Sequence, residues 1–275
     1  MEPRSTSTAA GHQSNVMVVI LTLNEAKRLP GCLAAIPPGY PVTVVDSGSS
    51  DGTADIAWNA GARVLINPWP GYVEQRNFSL DACRGLADWV LFIDTDEIFP
   101  PAFFEWLEAA VSQTSCDFDV VLVPSVLIWN GQPLRHAPGY PILHHRLLRV
   151  ETVRFVHKGT GHGETVAETW RQVTCPIPYD HFFYDGDLAS WMRKHVNYAR
   201  YDVFAQAAEE TAYITDRARL NRLGGRGIWR IPARFFYHYV WLGGFRDGHA
   251  GLAYALMYAW YEATKWTLRR AGRRP

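Results

Sequence analysis

Several common devices for holding nucleotides and metals are missing from this chain. No Gly-Lys-Ser/Thr closes a glycine-rich turn and no GxGxxG opens a helix, which excludes a phosphate-cradling P-loop and a dinucleotide fingerprint. Cysteine is scarce: Cys32, Cys83, Cys116 and Cys175 stand far apart with no CxxC pair. Neither a zinc site nor a disulfide framework is expected, and a reducing compartment is. An excess of one charge is lacking too, since 27 Lys and Arg balance 27 Asp and Glu. That removes the field a nucleic-acid partner would require. No uninterrupted run of eighteen apolar residues occurs, so a spanning helix is not expected. The first fourteen residues are polar, hold Arg4 as their single Lys or Arg, and lack the apolar stretch of a signal peptide. They read as a disordered tail on a cytosolic protein. Internal repeats and low-complexity tracts are absent as well.

What is present is ordinary globular material: 275 residues, 48% apolar and 20% charged, enough to bury a core without staples. Aromatic residues reach 13%, with 11 tryptophans; sugar and lipid sites use aromatic faces, and so do ordinary cores. From residue 15 to 124 the pattern alternates. β-type runs at Val16–Leu23, Val42–Val45, Arg63–Ile66, Trp89–Ile93 and Asp119–Val123 are separated by helix-compatible segments at Glu25–Ala35, Thr53–Asn59, Tyr72–Cys83 and Ala102–Val111. Such alternation predicts an α/β fold with a mostly parallel sheet and helices on both faces. After Pro124 the rhythm changes. Asn130-Gly131 between two β-type runs predicts a tight hairpin, and more β-type runs follow to His157, so residues 125–186 read as an antiparallel extension at the sheet's edge. Residues 187–275 read as a helical region interrupted by a Gly- and Arg-rich linker at 221–230.

Three polar clusters fall at predicted strand ends, where ligands of open α/β sheets bind. Thr22-Leu23-Asn24-Glu25 closes the first strand and Asp46-Ser47-Gly48-Ser49-Ser50-Asp51-Gly52-Thr53 follows the second. The second cluster has the composition of a helix-capping turn; alternatively, Asp46 could accept bonds from a nucleoside. Asp94-Thr95-Asp96-Glu97 closes the fourth strand. Alternation along a strand puts Asp94 and Asp96 on one face, and two like charges so placed call for a cation or a proton between them. A divalent metal bridging to a diphosphate meets that need with hard oxygen ligands; the simpler reading is a polar strand end.

The segments VVILTLNE, VVDSGSSDGT, QRNFSL, LFIDTDE and GGFRDGHAGLAYA together resemble glycosyltransferase family 2, and within it the lipopolysaccharide core β-1,4-glucosyltransferases. The resemblance runs from Val16 to about Arg270. It implies a GT-A fold, an inverting displacement on a nucleotide-sugar, UDP as leaving group, and Mg²⁺ or Mn²⁺ as cofactor. The sugar would be a hexose such as glucose, and the acceptor a glycan or glycolipid of the bacterial surface. It divides the chain into a nucleotide-sugar-binding half at 15–124 and an acceptor half at 125–186. By matching positions, Thr22, Asn24, Glu25 and Asp46 would line the nucleoside pocket, and Arg76 and Asn77 would approach the base and diphosphate. Asp94 would lie near ribose and metal, Asp96 would ligate the metal directly, and His181 could help hold it.

Inversion needs a carboxylate beyond the metal motif to take the acceptor's proton. Glu164 is the first candidate, with Asp180, Asp185 and Asp187 in reserve. Lys158, Arg146 and Arg149 could meet phosphates. The apolar stretch Gly251–Trp266, followed by Arg269, Arg270, Arg273 and Arg274, could lie on the inner face of an anionic membrane or pack on the domain. Rival readings are a glycosyltransferase for polyprenyl-linked or capsule intermediates and a non-catalytic nucleotide- or glycan-binding protein. A sugar nucleotidyltransferase would need a Gly-rich first loop with a following Arg, which Thr22–Glu25 lacks.

Overall fold

A computed structural model describes residues 15–112, 116–157, 164–204 and 227–272. β1 (Val16–Thr22), β2 (Val42–Asp46), β3 (Arg63–Ile66) and β4 (Trp89–Asp94) form a parallel set in the order β3-β2-β1-β4. Alternate residues of β1 enter different cores: Val16, Val18 and Ile20 face one cluster, Met17 and Val19 the other. A strand covered on both sides must be apolar at every position, hence the continuous runs read from sequence. On the first face lie α1 (Leu29–Ala34), α2 (Thr53–Asn59) and α4 (Pro101–Val111), through Leu29, Cys32, Ala57, Phe103 and Leu107. On the second lies α3 (Tyr72–Ala82), through Val73 and Leu80.

Beyond β4 the same sheet continues. β6 (Val120–Trp129) turns at Asn130-Gly131 into β7 (Gln132–Leu134), with φ of 43° and 78° at the two turn residues. Those positive values suit a two-residue hairpin turn and explain the Asn-Gly pair. β8 (Ile142–Arg149) slots antiparallel between β4 and β6. The antiparallel portion is therefore built into the sheet rather than added at its edge. β6 is one strand running straight through Pro124. Its far side is covered by β11 (Gln172–Thr174) at Val120–Leu122 and by β12 (Tyr179–Tyr184) from Ser125 onward. Pro124 falls in the gap between these two partners, so its missing N–H leaves no ladder bond unmade. The short β5 (Glu97–Ile98) pairs with β12, bringing Glu97 opposite His181. β9 (Phe155–His157) and β10 (Glu164–Val166) form a separate ribbon against α3.

The C-terminal part is helical but more broken than its apolar pattern predicts. α5 (Leu188–Phe204) precedes α6 (Arg230–Phe236), a π turn at Tyr237–Trp241, a 3₁₀ turn at Gly244–Asp247, and the long α7 (Gly248–Ala271). Gly251 sits so close to the Gly244 carbonyl that a Cβ there would lie 2.0 Å from the oxygen. α7 buries Ala250, Tyr254, Ala255, Met257, Ala259 and Glu262, so the helix expected to be apolar all round packs one side on the domain. No described helix is long and apolar enough to cross a membrane.

Candidate active site

The loops after β1 and β2 are laced together. Asn24, at φ 56°, a conformation asparagine tolerates better than most residues, accepts the Ser50 N–H at 2.9 Å and donates its own N–H to Ser49 Oγ at 2.7 Å. The Glu25 N–H donates to Thr53 Oγ1 at 2.9 Å, and the Ala26 N–H to Asp51 Oδ2 at 3.0 Å. Asp46 braces this assembly from beneath. Its buried carboxylate accepts Thr22 Oγ1 at 2.8 Å, the N–H groups of Gly48 and Ser49 at 2.9 and 2.7 Å, and the Ser49 hydroxyl. Burial raises its pKa, but the donors of Ser49, Thr22 and Gly48 outweigh that and hold it below the usual carboxylate range. Four donors use its acceptor sites. Asp46, expected to contact a nucleoside, spends these bonds on shaping its own loop. Burial pushes Glu25 upward against the pull of Thr95 and Arg28.

The end of β4 carries a chain of alternating charges. Arg76, buried on α3, donates through Nε to Glu164 Oε1 at 2.7 Å and through Nη2 to Asp94 Oδ1 at 3.3 Å. Arg146 on β8 donates to Asp94 Oδ2 at 3.0 Å, to Glu97, and through Nε to the Tyr179 hydroxyl at 3.3 Å. Burial would raise Asp94, but Arg146 and Arg76 hold it far below the normal carboxylate value. Glu97, wholly enclosed, is pushed up to about 7 by burial despite Arg146. Each Asp94 oxygen accepts a guanidinium, so two arginines neutralise its charge in this structure. Arg146, read from sequence as a phosphate contact, is buried at the core of this ion network.

Asp96 and Asp94 also part company geometrically, because β4 ends at Asp94. Asp96 turns toward His181 on β12, whose Nε2 lies 3.7 Å from Asp96 Oδ2. Burial lowers the His181 pKa, yet Asp96 more than compensates and raises it. His144, beside His181, is driven down to about 2 by burial and by Arg146 and is a neutral imidazole. Three buried nitrogens of the site, Arg76 Nη1, His144 Nε2 and His181 Nδ1, have no hydrogen-bond partner. Buried polar atoms left so are uncommon and mark places where a ligand can complete the bonding.

Other expected residues fall elsewhere. Asn77, expected near the base and diphosphate, spends its amide on the Phe155 backbone, donating to its carbonyl at 3.0 Å and accepting its N–H at 2.9 Å, and so fastens β9 to α3. Arg149 stacks over Trp89 and pairs with Asp119, away from the site. Asp180 is exposed and adjacent in the strand to His181, so its side chain leaves the opposite face. Asp187 accepts the Ser190 N–H at 2.9 Å as a helix cap. Asp185 bonds Arg28 at 2.8 Å, on the Glu25 side of the site. Lys158 lies outside the described residues. Sequence reasoning missed Glu97, Tyr179 and Gln75. Gln75, fully buried, joins Ser47 to Asn67. The Glu that follows Asp94-Thr95-Asp96 was the one visible signal among them.

Two polar loops and an acidic cluster gather at the carboxyl ends of the adjacent parallel strands β2, β1 and β4, the place where open α/β sheets bind their ligands. Residues 17–158, more than half of the 275, match glycosyl transferase family 2, and the chain belongs to that family. An uncharacterized glycosyltransferase of Rickettsia bellii is 41% identical over 83 residues, 30% of this chain and 28% of that protein. An uncharacterized glycosyltransferase of Mycobacterium bovis is 53% identical over 57 residues, 21% of this chain and 26% of that protein. The matches thus span under a third of the length of these curated relatives. Among solved structures, glucosyl-3-phosphoglycerate synthase from Mycobacterium tuberculosis, in complex with Mn²⁺, UDP and glucosyl-3-phosphoglycerate, is 31% identical. That comparison covers 42% of this chain and 44% of the other at a TM-score of 0.34.

The donor chemistry for the divalent ion implied by the family is a carboxylate, Asp96, beside an imidazole, His181. Among the described residues no three His, Cys, Asp or Glu side chains gather to hold an ion. The pair fits a metal only when further oxygens arrive with a ligand, as the phosphates of a donor would supply.

Proposed function

We propose that this protein is an inverting, metal-assisted glycosyltransferase that moves a hexose, glucose from UDP-glucose first among candidates, to a hydroxyl of a bacterial surface glycan or glycolipid such as lipopolysaccharide core. The observation that carries the reading is the Asp96–His181 pair set beside the arginine-neutralised Asp94, at the mouth of the loops braced by Asp46. Asp96 and His181 hold the ion; an imidazole donor favours Mn²⁺ over the harder Mg²⁺. When bound, the ion neutralises charge developing on the departing diphosphate. Arg76 offers its unpartnered Nη1 to the donor, and Asn24, Glu25 and the Ser47–Ser50 turn enclose the nucleoside. Glu164, held on Arg76 through Oε1, is the base that accepts the acceptor's proton.

Calorimetry with UDP, GDP and dTDP, with and without Mn²⁺, tests this. UDP should bind best and Mn²⁺ should bind measurably only with nucleotide present; Asp96→Ala and His181→Ala should remove that dependence. GDP or dTDP bound about tenfold tighter, some 1.4 kcal/mol, or an active enzyme in chelator, overturns the respective assignment. Glu164→Gln should lower turnover by about a hundred- to ten-thousand-fold while UDP affinity stays within a few-fold. A collapse in Asp185→Asn instead moves the base to the Glu25 side.

A further inference from the structure

The helix that starts the C-terminal arm is amphipathic, but turned outward. Along α6 and the π turn, positions 229, 232, 233, 236, 237, 240 and 241 are exposed, and all are apolar or aromatic. They recur at i, i+3, i+4, i+7 and i+8, the spacing of one continuous helical stripe. The polar side faces in. Arg230 and Arg234 donate to the buried Glu262 carboxylate, and His238 is enclosed with Nδ1 2.7 Å from the Ala137 carbonyl. A helix of a soluble domain ordinarily does the reverse. Trp241 is 82% exposed, Phe236 59% and Val240 54%, with Phe245 at 56% continuing the surface past the turn.

We propose that this stripe is a membrane-seating surface that lies in the plane of an anionic lipid bilayer. Its chemistry selects that occupant. Between residues 228 and 261 the only acidic residue is Asp247, and its oxygens are taken by the N–H groups of Arg135, His136 and Ala137. Arg246 and His249 are the exposed ionisable groups of this stretch. Among the described residues of this stretch the exposed surface thus carries the Arg246 cation and no outward acid, which matches negatively charged headgroups. Tryptophan, tyrosine and phenylalanine on such a stripe are the residue types that settle at the boundary between headgroup and acyl chain. Because no described helix can cross a bilayer, the attachment is in-plane.

The contact differs from the one the sequence suggests. The apolar Gly251–Trp266 stretch on α7 is mostly spent on packing, and the free surface belongs to the preceding arm. Its test uses vesicles and no nucleotide, so it stands or fails separately from the nucleotide experiments.

Sedimentation of the full chain with sucrose-loaded vesicles of phosphatidylcholine alone, or with roughly one-third phosphatidylglycerol, reads it. The wild type should pellet with the anionic vesicles, and added salt should weaken binding. The pair Trp241→Ser and Phe245→Ser, in one chain, should lower partitioning about tenfold or more while leaving the melting temperature and UDP affinity unchanged. Arg246→Glu should reduce binding to anionic vesicles only. Failure of the wild type to bind, or equal binding by the double variant, overturns the proposal. So does light scattering that shows a wild-type dimer converted to monomer by the double variant without vesicle binding by either, which would make the stripe a contact between copies.

Discussion

Arg146 shows how one side chain can decide the character of a site. A buried guanidinium that serves Asp94, Glu97 and Tyr179 at once needs the planar fork that lysine lacks. Removing it strands the enclosed Glu97 carboxylate and leaves the part-exposed Asp94 with Arg76 alone, and breaking a buried pair from one side typically costs about 3–5 kcal/mol. Arg146→Met should therefore lower the urea midpoint by that order of stability. Arg146→Lys should recover only part of it, because a point charge cannot span both acids. A loss below about 1 kcal/mol in Arg146→Met would mean that the network is far more solvated than its burial indicates.

Asn77 belongs to the scale of elements, as the tie between α3 and the β9–β10 ribbon that carries Glu164. Asn77→Ala leaves the Phe155 N–H and carbonyl unpaired, at about 1–3 kcal/mol, and should lower the melting temperature with UDP affinity unchanged within a few-fold. Nucleotide affinity lost in step with stability would return Asn77 to the donor pocket. The sequence displayed these elements unevenly. β1, β2 and β4 were plain, since burial on both faces forces apolar runs. α1 was read too long, because the stretch before Leu29 is a turn in which the Arg28 N–H returns to the Glu25 carbonyl. β6 was split by Pro124, whose tolerance depends on a gap between two partner strands that only the assembled sheet reveals. β12 was missed altogether, and with it the reason His181 meets Asp96. The motif residues at strand ends were legible as a group. Their individual partners were not, because arginines from α3 and β8 arrive from distant parts of the chain.

At the scale of the molecule, the Glu262 carboxylate ties α6 to α7 within the C-terminal arm. Glu262 is drawn down to about 2: burial alone would raise it, but Lys265, Arg230 and Arg234 overwhelm that effect. Its folded pKa lies below its unfolded value of about 4.5, so its stabilisation is complete above pH 4.5 and is lost as pH falls toward 2. Acid titration should thus loosen the packing of α6 on α7 through that window, and Glu262→Gln should flatten the response. Tryptophan fluorescence followed from pH 5 to 2 reads both; identical curves would show that other carboxylates govern the transition. The Asp247 clamp on residues 135–137 has a different consequence. It joins the arm to the hairpin of β6, the strand that also pairs with the one bearing His181. Gly251 pressed against the Gly244 carbonyl packs α7 closely on the turn that bears Asp247. Were the outward stripe seated on a bilayer as proposed, this joint would set the height of the Asp96–His181 pair above it and make the protein a gauge, sorting acceptors by how far the reactive hydroxyl stands from its anchor.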